Sequence, residues 1–152
     1  MSKNVLRHAA LGLVSLAMAC TASLMSAGAA SAQHNYPGML YQGESLDRGE
    51  YIETRYGNWN DQRIYRLIMQ WDGNLVLYKT YQGNQTVCWA SHTWGSDAVH
   101  AVYQTDGNFV LYTAGGTVPW ASNTVGKGGQ TVDINNFGGL YVGYTRISSN
   151  CG

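Results

Sequence analysis

A nine-residue stretch that occurs twice constrains the fold of this chain more than any other feature. Residues 70–78 read QWDGNLVLY, and residues 104–112 read QTDGNFVLY. In each copy an apolar run meets Asp-Gly and then resumes in alternation, which predicts a β-hairpin. A three-residue turn that ends in a glycine at positive φ would pair Gln70 with Asn74, so that both lie on one face.

Counting outward from the turn with a period of two separates an apolar face from a mixed face. The apolar face is predicted to be core, because nothing else would keep it from water. Its members are Leu67, Met69, Leu75 and Leu77 in the first copy and Ala101, Tyr103, Phe109 and Leu111 in the second.

The mixed face repeats one set of groups: an amide, a carboxylate, a second amide, an aliphatic side chain and a phenol. They are Gln70, Asp72, Asn74, Val76 and Tyr78 in the first copy and Gln104, Asp106, Asn108, Val110 and Tyr112 in the second. Sugar hydroxyls need fixed donors and acceptors, and sugar ring carbons need a small apolar contact. The mixed face therefore predicts two carbohydrate-binding sites.

The pattern Q-x-D-x-N-x-V-x-Y resembles the mannose-binding site of the bulb-type (monocot, snowdrop-like) lectins, whose β-prism II domains carry three related repeats. The resemblance implies an all-β fold of three antiparallel sheets with pseudo-threefold symmetry. It also implies that the Asp and Asn bind the axial 2-hydroxyl of mannose, the Gln the 3-hydroxyl and the Tyr the 4-hydroxyl, while the Val contacts ring carbons. The expected partner is a mannose-containing glycan, bound without a cofactor or metal.

Relatives in the resembled family often form homodimers by exchanging C-terminal strands. A homodimer is therefore one assembly that the resemblance implies. The short end at Cys151, if it is pinned by a disulfide, would oppose such an exchange.

A second repeated motif, W-A-S-x-T-x-G, follows each copy at residues 89–95 and 120–126 and fixes the register of the repeat. The recurring Trp89 and Trp120 are predicted to be core, on two sides of a pseudo-threefold centre. The resembled family completes that centre with a third Trp, whereas the corresponding region here holds Cys151.

The third repeat is degraded. With Val142 and Tyr144 aligned to the pattern, residues 136–144 keep the hairpin signal but lack the Asp and the second amide. We therefore expect a third hairpin without mannose binding, and two working sites.

Residues 1–32 are typical of a secretory signal peptide, with Lys3 and Arg7 in a charged start, an apolar stretch and an A-x-A cleavage motif that ends at Ala32. An uncleaved membrane anchor is the alternative, but the second half of the stretch is mostly Ala, Ser and Gly. A lipoprotein site at Cys20 lacks the usual Leu. We expect one bulb-type lectin domain over residues 33–152, secreted to the extracellular space or periplasm and not inserted in a membrane.

The residues that remain after removal of the predicted signal peptide constrain the partner and the cysteine pairing. Without Lys3 and Arg7, seven basic residues face nine acidic ones, and a net charge of −2 argues against a nucleic-acid partner. Cys88 and Cys151 remain, and they are predicted to form a disulfide. Two reduced thiols or an intermolecular bridge are the alternatives.

The sequence lacks the motifs that a glycosidase or a metal-dependent enzyme would need. A glycosidase needs two carboxyl groups at a set separation, whereas each site offers one Asp, and Glu44, Glu50 and Glu53 lie in no matching motif. His34, His92 and His100 lack metal-ligand spacing. We therefore expect a protein that is not an enzyme. A lectin-like antimicrobial (bacteriocin-type) protein and an envelope or coat scaffold without sugar binding are the alternatives.

Two further segments are predicted from their local sequence alone. Residues 33–38 are predicted to be a loose lead-in, followed by short strands with turns at Gly43 and Gly49. Residues 55–63 are predicted to form a loop with Trp59 at its tip. An exposed Trp59 would indicate a contact surface, and a tucked one only a lid.

Overall fold

The computed structural model describes residues 35–151, which form thirteen strands in three sheets. The strands are β1 (Asn35–Pro37), β2 (Met39–Tyr41), β3 (Ser45–Asp47), β4 (Tyr51–Tyr56), β5 (Arg63–Met69), β6 (Leu75–Tyr81), β7 (Asn84–Ala90), β8 (Ala98–Tyr103), β9 (Phe109–Thr113), β10 (Trp120–Ala121), β11 (Thr131–Ile134), β12 (Leu140–Val142) and β13 (Thr145–Arg146). No helix in this part of the chain is long and apolar enough to cross a membrane. The predicted signal peptide and its cleavage site lie outside the described residues.

Each predicted hairpin forms the middle of one sheet. The sheet orders are β1-β4-β5-β6-β7, β10-β9-β8-β3 and β13-β12-β11-β2. The short strands β2, β3 and β4 each join a different sheet, because positive-φ turns at Gly43 and Gly49 (both +88°) redirect the chain between them. The predicted all-β fold of three antiparallel sheets is confirmed.

The start of the described chain departs from prediction. Residues 35–37 are not a loose lead-in, because β1 pairs in parallel with residues 51–53 of β4. This added edge strand makes the first sheet five-stranded, and the other two have four strands each.

The core lies where the apolar faces of the three sheets meet. All eight side chains predicted for it from the two repeats are completely buried. Trp89 and Trp120 pack on this core and contact each other edge to face, with ring centroids 5.4 Å apart. Both are half-buried rather than fully enclosed, so they border the core instead of filling its centre.

The third corner of the prism is closed by a disulfide. Cys88 and Cys151 are bonded, with Cα atoms 5.3 Å apart, as predicted. Both pack against the core together with Ile147, in the region where the resembled family places a third Trp. The backbone N–H of Cys151 also donates to the carbonyl of Phe137 (2.8 Å), so the C-terminus is held against the third hairpin.

The first sheet is longer than the other two. Strand pairing continues through Tyr56, Arg63 and Tyr81, which form one row beyond the buried residues. The predicted loop is therefore shorter than expected and spans only residues 57–62. Trp59 at the tip of this loop is 100% exposed, which excludes the alternative that its side chain is tucked in as a lid.

Candidate functional site

The first repeat turns as its sequence predicts. The N–H of Gln70 donates to the carbonyl of Asn74 (2.9 Å), and Gly73 closes the turn at φ +85°. One carboxylate oxygen of Asp72 accepts the backbone N–H of Asn74 (2.9 Å). This bond fixes the Asp72 side chain within the turn and leaves its second oxygen without a partner among the described residues.

The orientation of the Asn74 amide is set from behind by the segment that follows β7. The Oδ1 atom accepts the backbone N–H of Thr93 (3.1 Å) and the hydroxyl of Ser91 (3.0 Å). Because a backbone N–H can only donate, the oxygen must face inward and the NH2 group outward. That NH2 group makes no hydrogen bond within residues 35–151.

Ser91 and Thr93 are functional residues that the sequence reasoning missed. The Thr93 hydroxyl donates to the carbonyl of Gly73 (2.8 Å), and the Ser91 hydroxyl accepts the N–H of Leu75 (3.0 Å). Both are buried. The sequence signal for this role is the S-x-T within the repeated W-A-S-x-T-x-G motif.

The two remaining polar side chains of the first site, Gln70 and Tyr78, are hydrogen-bonded to each other. Gln70 Nε2 donates to the Tyr78 hydroxyl (2.8 Å), which leaves the phenol proton free for an outside acceptor. On the outer face of the hairpin, the residue pair that contains Gln70 and the residue pair that contains Tyr78 lie on opposite sides of the pair that contains Val76. The hydrogen bond between Gln70 and Tyr78 therefore crosses the position of Val76. Val76 is on the outer face as predicted by the alternation, but it is only 2% exposed and so offers little open apolar contact.

The second repeat builds the same site. The Asp106 to Asn108 N–H bond is 2.9 Å, and Gln104 Nε2 donates to the Tyr112 hydroxyl at 2.7 Å. Val110 is 3% exposed. The oxygen of Asn108 again faces inward, where it accepts the N–H of Thr124 (3.2 Å) and the Ser122 hydroxyl (3.1 Å). The structure thus brings all ten predicted site residues into two sets of five.

The two sites differ at their rims. Trp71 and Trp94 flank Asp72 and are 73% and 74% exposed. The turn that carries Trp94 is tied to the first site, because the Gly95 N–H donates to the carbonyl of Asp72 (2.8 Å). The equivalent residues of the second site are Thr105 and Val125. The turns at the first site therefore carry two exposed tryptophans that the second site lacks.

The predicted alignment of the third repeat is wrong by one residue. The turn bonds run from Asn135 N–H to the Gly139 carbonyl (2.9 Å) and from Gly138 N–H to the Asn135 carbonyl (2.9 Å), so the repeat spans residues 135–143, not 136–144. Leu140 and Val142 are buried at the core positions of Leu75 and Leu77. Aligning Val142 with Val76 had placed it on the wrong face, because a shift of one residue reverses every side chain of a strand.

In the corrected alignment only the first of the five groups, an amide, is kept, and it is the shorter Asn135. Gln, Asp and Asn are replaced by Asn135, Phe137 and Gly139, while Val and Tyr are replaced by Tyr141 and Gly143. The hairpin remains because Asn135 Oδ1 accepts the N–H of both Phe137 (2.9 Å) and Gly139 (2.8 Å).

Gly143 stands where the two binding repeats have a tyrosine, and the close approach of Gly128 leaves no room for a side chain there. A Cβ there would lie 1.9 Å from the carbonyl oxygen of Gly128, and φ is +56°. We expect Gly143→Ala to lower the free energy of unfolding by more than about 2 kcal/mol, since backbone strain and overpacking add. Chemical denaturation measures this loss.

Gly83→Ala is the matched control for that substitution. Its φ of +77° is also unfavourable, but a Cβ there would meet nothing within 4 Å. We expect a loss of only about 1 kcal/mol. Equal losses for the two variants would contradict the close backbone contact.

The outward groups of each site are chemically complementary to a polyol. One carboxylate oxygen accepts, one amide NH2 donates and one phenol proton donates, all from side chains held by internal bonds. Residues 35–151 contain no group of three or more His, Cys, Asp or Glu that could hold a metal ion.

Comparison with curated proteins gives two similar lectins. The mannose-specific lectin of Aloe arborescens is 44% identical over 88 residues, which are 57% of this chain and 69% of that protein. The B-type lectin plumieribetin of Scorpaena plumieri is 33% identical over 85 residues, which are 56% of this chain and 66% of that protein. No protein-family model matches the chain.

Comparison with solved structures gives the same group of proteins. The mannose-specific agglutinin from snowdrop (Galanthus nivalis) bulbs, complexed with methyl-α-D-mannoside, is 32% identical. The similarity covers 76% of this chain and 97% of the snowdrop chain, with a TM-score of 0.55. The three-sheet arrangement is therefore shared over nearly the whole of that protein.

Proposed function

Because this chain belongs to the family of bulb-type, snowdrop-like lectins, carbohydrate-binding proteins with the β-prism II fold, we propose that it binds mannose through the two sites at residues 70–78 and 104–112. The proposal extends to mannose-rich glycans as partners and to a non-catalytic role. It also includes secretion of residues 33–152 after cleavage near Ala32.

One observation carries the assignment. In both sites a backbone N–H behind the Asn fixes its oxygen inward, at Thr93 and Thr124, so that its NH2 group is presented beside a carboxylate oxygen. A donor and an acceptor on adjacent, immobilised side chains can bind one hydroxyl in both of its roles. That hydroxyl is the axial 2-hydroxyl of mannose in our proposal.

Selectivity follows from the fixed positions of these groups. A sugar with an equatorial 2-hydroxyl would leave the Asp and Asn poorly paired, which costs about 1–3 kcal/mol, or about 5- to 150-fold in affinity. Each neutral hydrogen bond contributes only about 1 kcal/mol against water, so one site should bind one sugar with a Kd near millimolar. Useful affinity then requires several sites that engage a dense glycan together.

A titration with methyl α-mannoside, followed through backbone amide signals by NMR, tests the proposal. We expect two separate groups of shifted signals, one around each site, and no such shifts with methyl α-glucoside at the same concentration. Asn74→Asp should remove only the first group and Asn108→Asp only the second, because the sites lie on different sheets.

The outcome that contradicts this proposal is equally specific. Equal shifts with the glucoside would mean that the Asp and Asn pairs do not recognise the axial hydroxyl. Shifts confined to other parts of the chain would place sugar binding elsewhere. Release of reducing sugar from mannan would contradict the non-catalytic role.

A further inference from the structure

A cleft of about 310 Å³ lies beside the degraded third hairpin, away from both proposed mannose sites. It is formed because the first sheet extends beyond the core and faces the third turn and the C-terminus. Its lining residues are Tyr56, Arg63, Tyr65, Asn136, Phe137 and Asn150. The volume is at the lower end of the range for small-ligand sites, about 300–1,000 Å³.

The walls of the cleft are held in place from behind. A Cβ on Gly138 would lie 2.5 Å from the Tyr65 ring and 2.8 Å from Cβ of Cys151, so the third turn rests directly on both. The disulfide to Cys88 holds Cys151, one of these two neighbours, on β7. A cleft of fixed shape needs little ordering when a ligand enters.

Aromatic side chains make up half of the lining. Phe137 stands at the position of the Asp in the binding repeats, and it is 63% exposed, while Tyr56 is 41% exposed. Burial raises the pKa of Tyr65, with Arg63 opposing, so its phenol stays neutral. Two exposed aromatic side chains on a concave surface are typical of a site for an apolar or ring-shaped group.

Besides the two tyrosines, the polar residues that line the cleft are two asparagines and an arginine, without the carboxylate of the proposed mannose sites. Asn136 makes no hydrogen bond through its side chain within residues 35–151. Asn150 Oδ1 accepts from Arg146 (2.9 Å), which leaves its NH2 group available. Arg63 lies 5.3 Å from the centre of the Tyr81 ring and contacts Asp61 only at 3.4 Å.

We propose that this cleft binds the acetamido group of an N-acetylhexosamine. The acetamido methyl would pack on Phe137 and Tyr56, its carbonyl would accept from Arg63 or Asn150, and its N–H would donate to the Asn136 amide oxygen. A plain hexose offers neither the methyl nor the amide. The cleft thus complements the mannose sites instead of repeating them.

Saturation-transfer NMR with methyl 2-acetamido-2-deoxy-β-D-glucopyranoside tests this site on the full chain. We expect transfer from the protein to the acetyl methyl protons, and at least about fivefold less for methyl β-D-glucopyranoside. Phe137→Ala and Asn136→Ala should each reduce the acetamido response at least about fivefold. Both side chains are exposed, so neither variant should disturb folding.

Two further variants make the result decisive. Tyr144→Ala removes an aromatic ring of 82% exposure that does not line the cleft, and it should leave the response unchanged. Asn74→Asp with Asn108→Asp should also leave it unchanged, which separates this site from the proposed mannose sites. An absent response, an equal response to the glucoside, or a response unchanged in Phe137→Ala overturns the proposal.

Discussion

Changing Asn74 and Asn108 together to aspartate is expected to abolish retention of the protein on immobilised mannose. Aspartate keeps the oxygen that accepts the N–H of Thr93 or Thr124, so the turn behind each site should survive. It replaces the outward NH2 donor with a second carboxylate oxygen beside Asp72 or Asp106. Each site then loses a donor and gains a like-charge repulsion, an expected loss of at least about tenfold per site.

The loss on the column should exceed the loss per site. Retention of millimolar sites depends on simultaneous engagement, so weakening both removes the avidity as well. Alanine is a poorer choice, because it would leave the buried Thr93 N–H without its acceptor and lower stability by about 1–3 kcal/mol.

A control with the same change in net charge separates recognition from general electrostatics. Asn58→Asp with Asn84→Asp adds two negative charges at exposed positions outside both sites. This variant should be retained like the unmodified protein. If it elutes early as well, or if the Asn74 and Asn108 variant is fully retained, the two amides do not recognise mannose.

Local pattern was sufficient to predict the two hairpins. Asp-Gly sets a turn with glycine at positive φ, and counting outward from that turn with a period of two places Leu75 and Leu77 on one face, all within nine residues. The buried core residues of the two intact repeats therefore follow from the sequence. The register of the third repeat could not be predicted in this way, because Val142 and Tyr144 have the same residue types as the outer-face positions of the other repeats. Only the burial of Leu140 shows which residues of this strand face the core.

The inner support of the sites could not be predicted from the repeats alone. Ser91 and Thr93 reach Asn74 from 17 and 19 residues away, so their role depends on how β7 returns along β6. The alternation likewise does not reveal that Val76 is only 2% exposed or that Gln70 and Tyr78 are hydrogen-bonded to each other. The cleft is still less visible in sequence, because three separate segments of the chain meet there.

Removing the disulfide by changing Cys88 and Cys151 together to serine is expected to lower the free energy of unfolding by about 4 kcal/mol. The two cysteines are 63 residues apart, and closing a loop of that length removes about this much entropy from the unfolded chain. A domain of this size has only about 5–15 kcal/mol in total, so the effect should dominate its stability.

The loss should also be uneven across the molecule. Strand β13 pairs with β12 through only two residue pairs, so the C-terminal segment depends on the disulfide for its position. The two proposed mannose sites lie on the other two sheets, so folded variant molecules should keep their response to methyl α-mannoside while the acetamido response of the cleft weakens. Denaturant unfolding of the oxidised protein, the reduced protein and the double serine variant measures the first effect. A difference below about 1 kcal/mol would show that packing of Ile147 and the core, not the covalent bond, holds this corner of the prism.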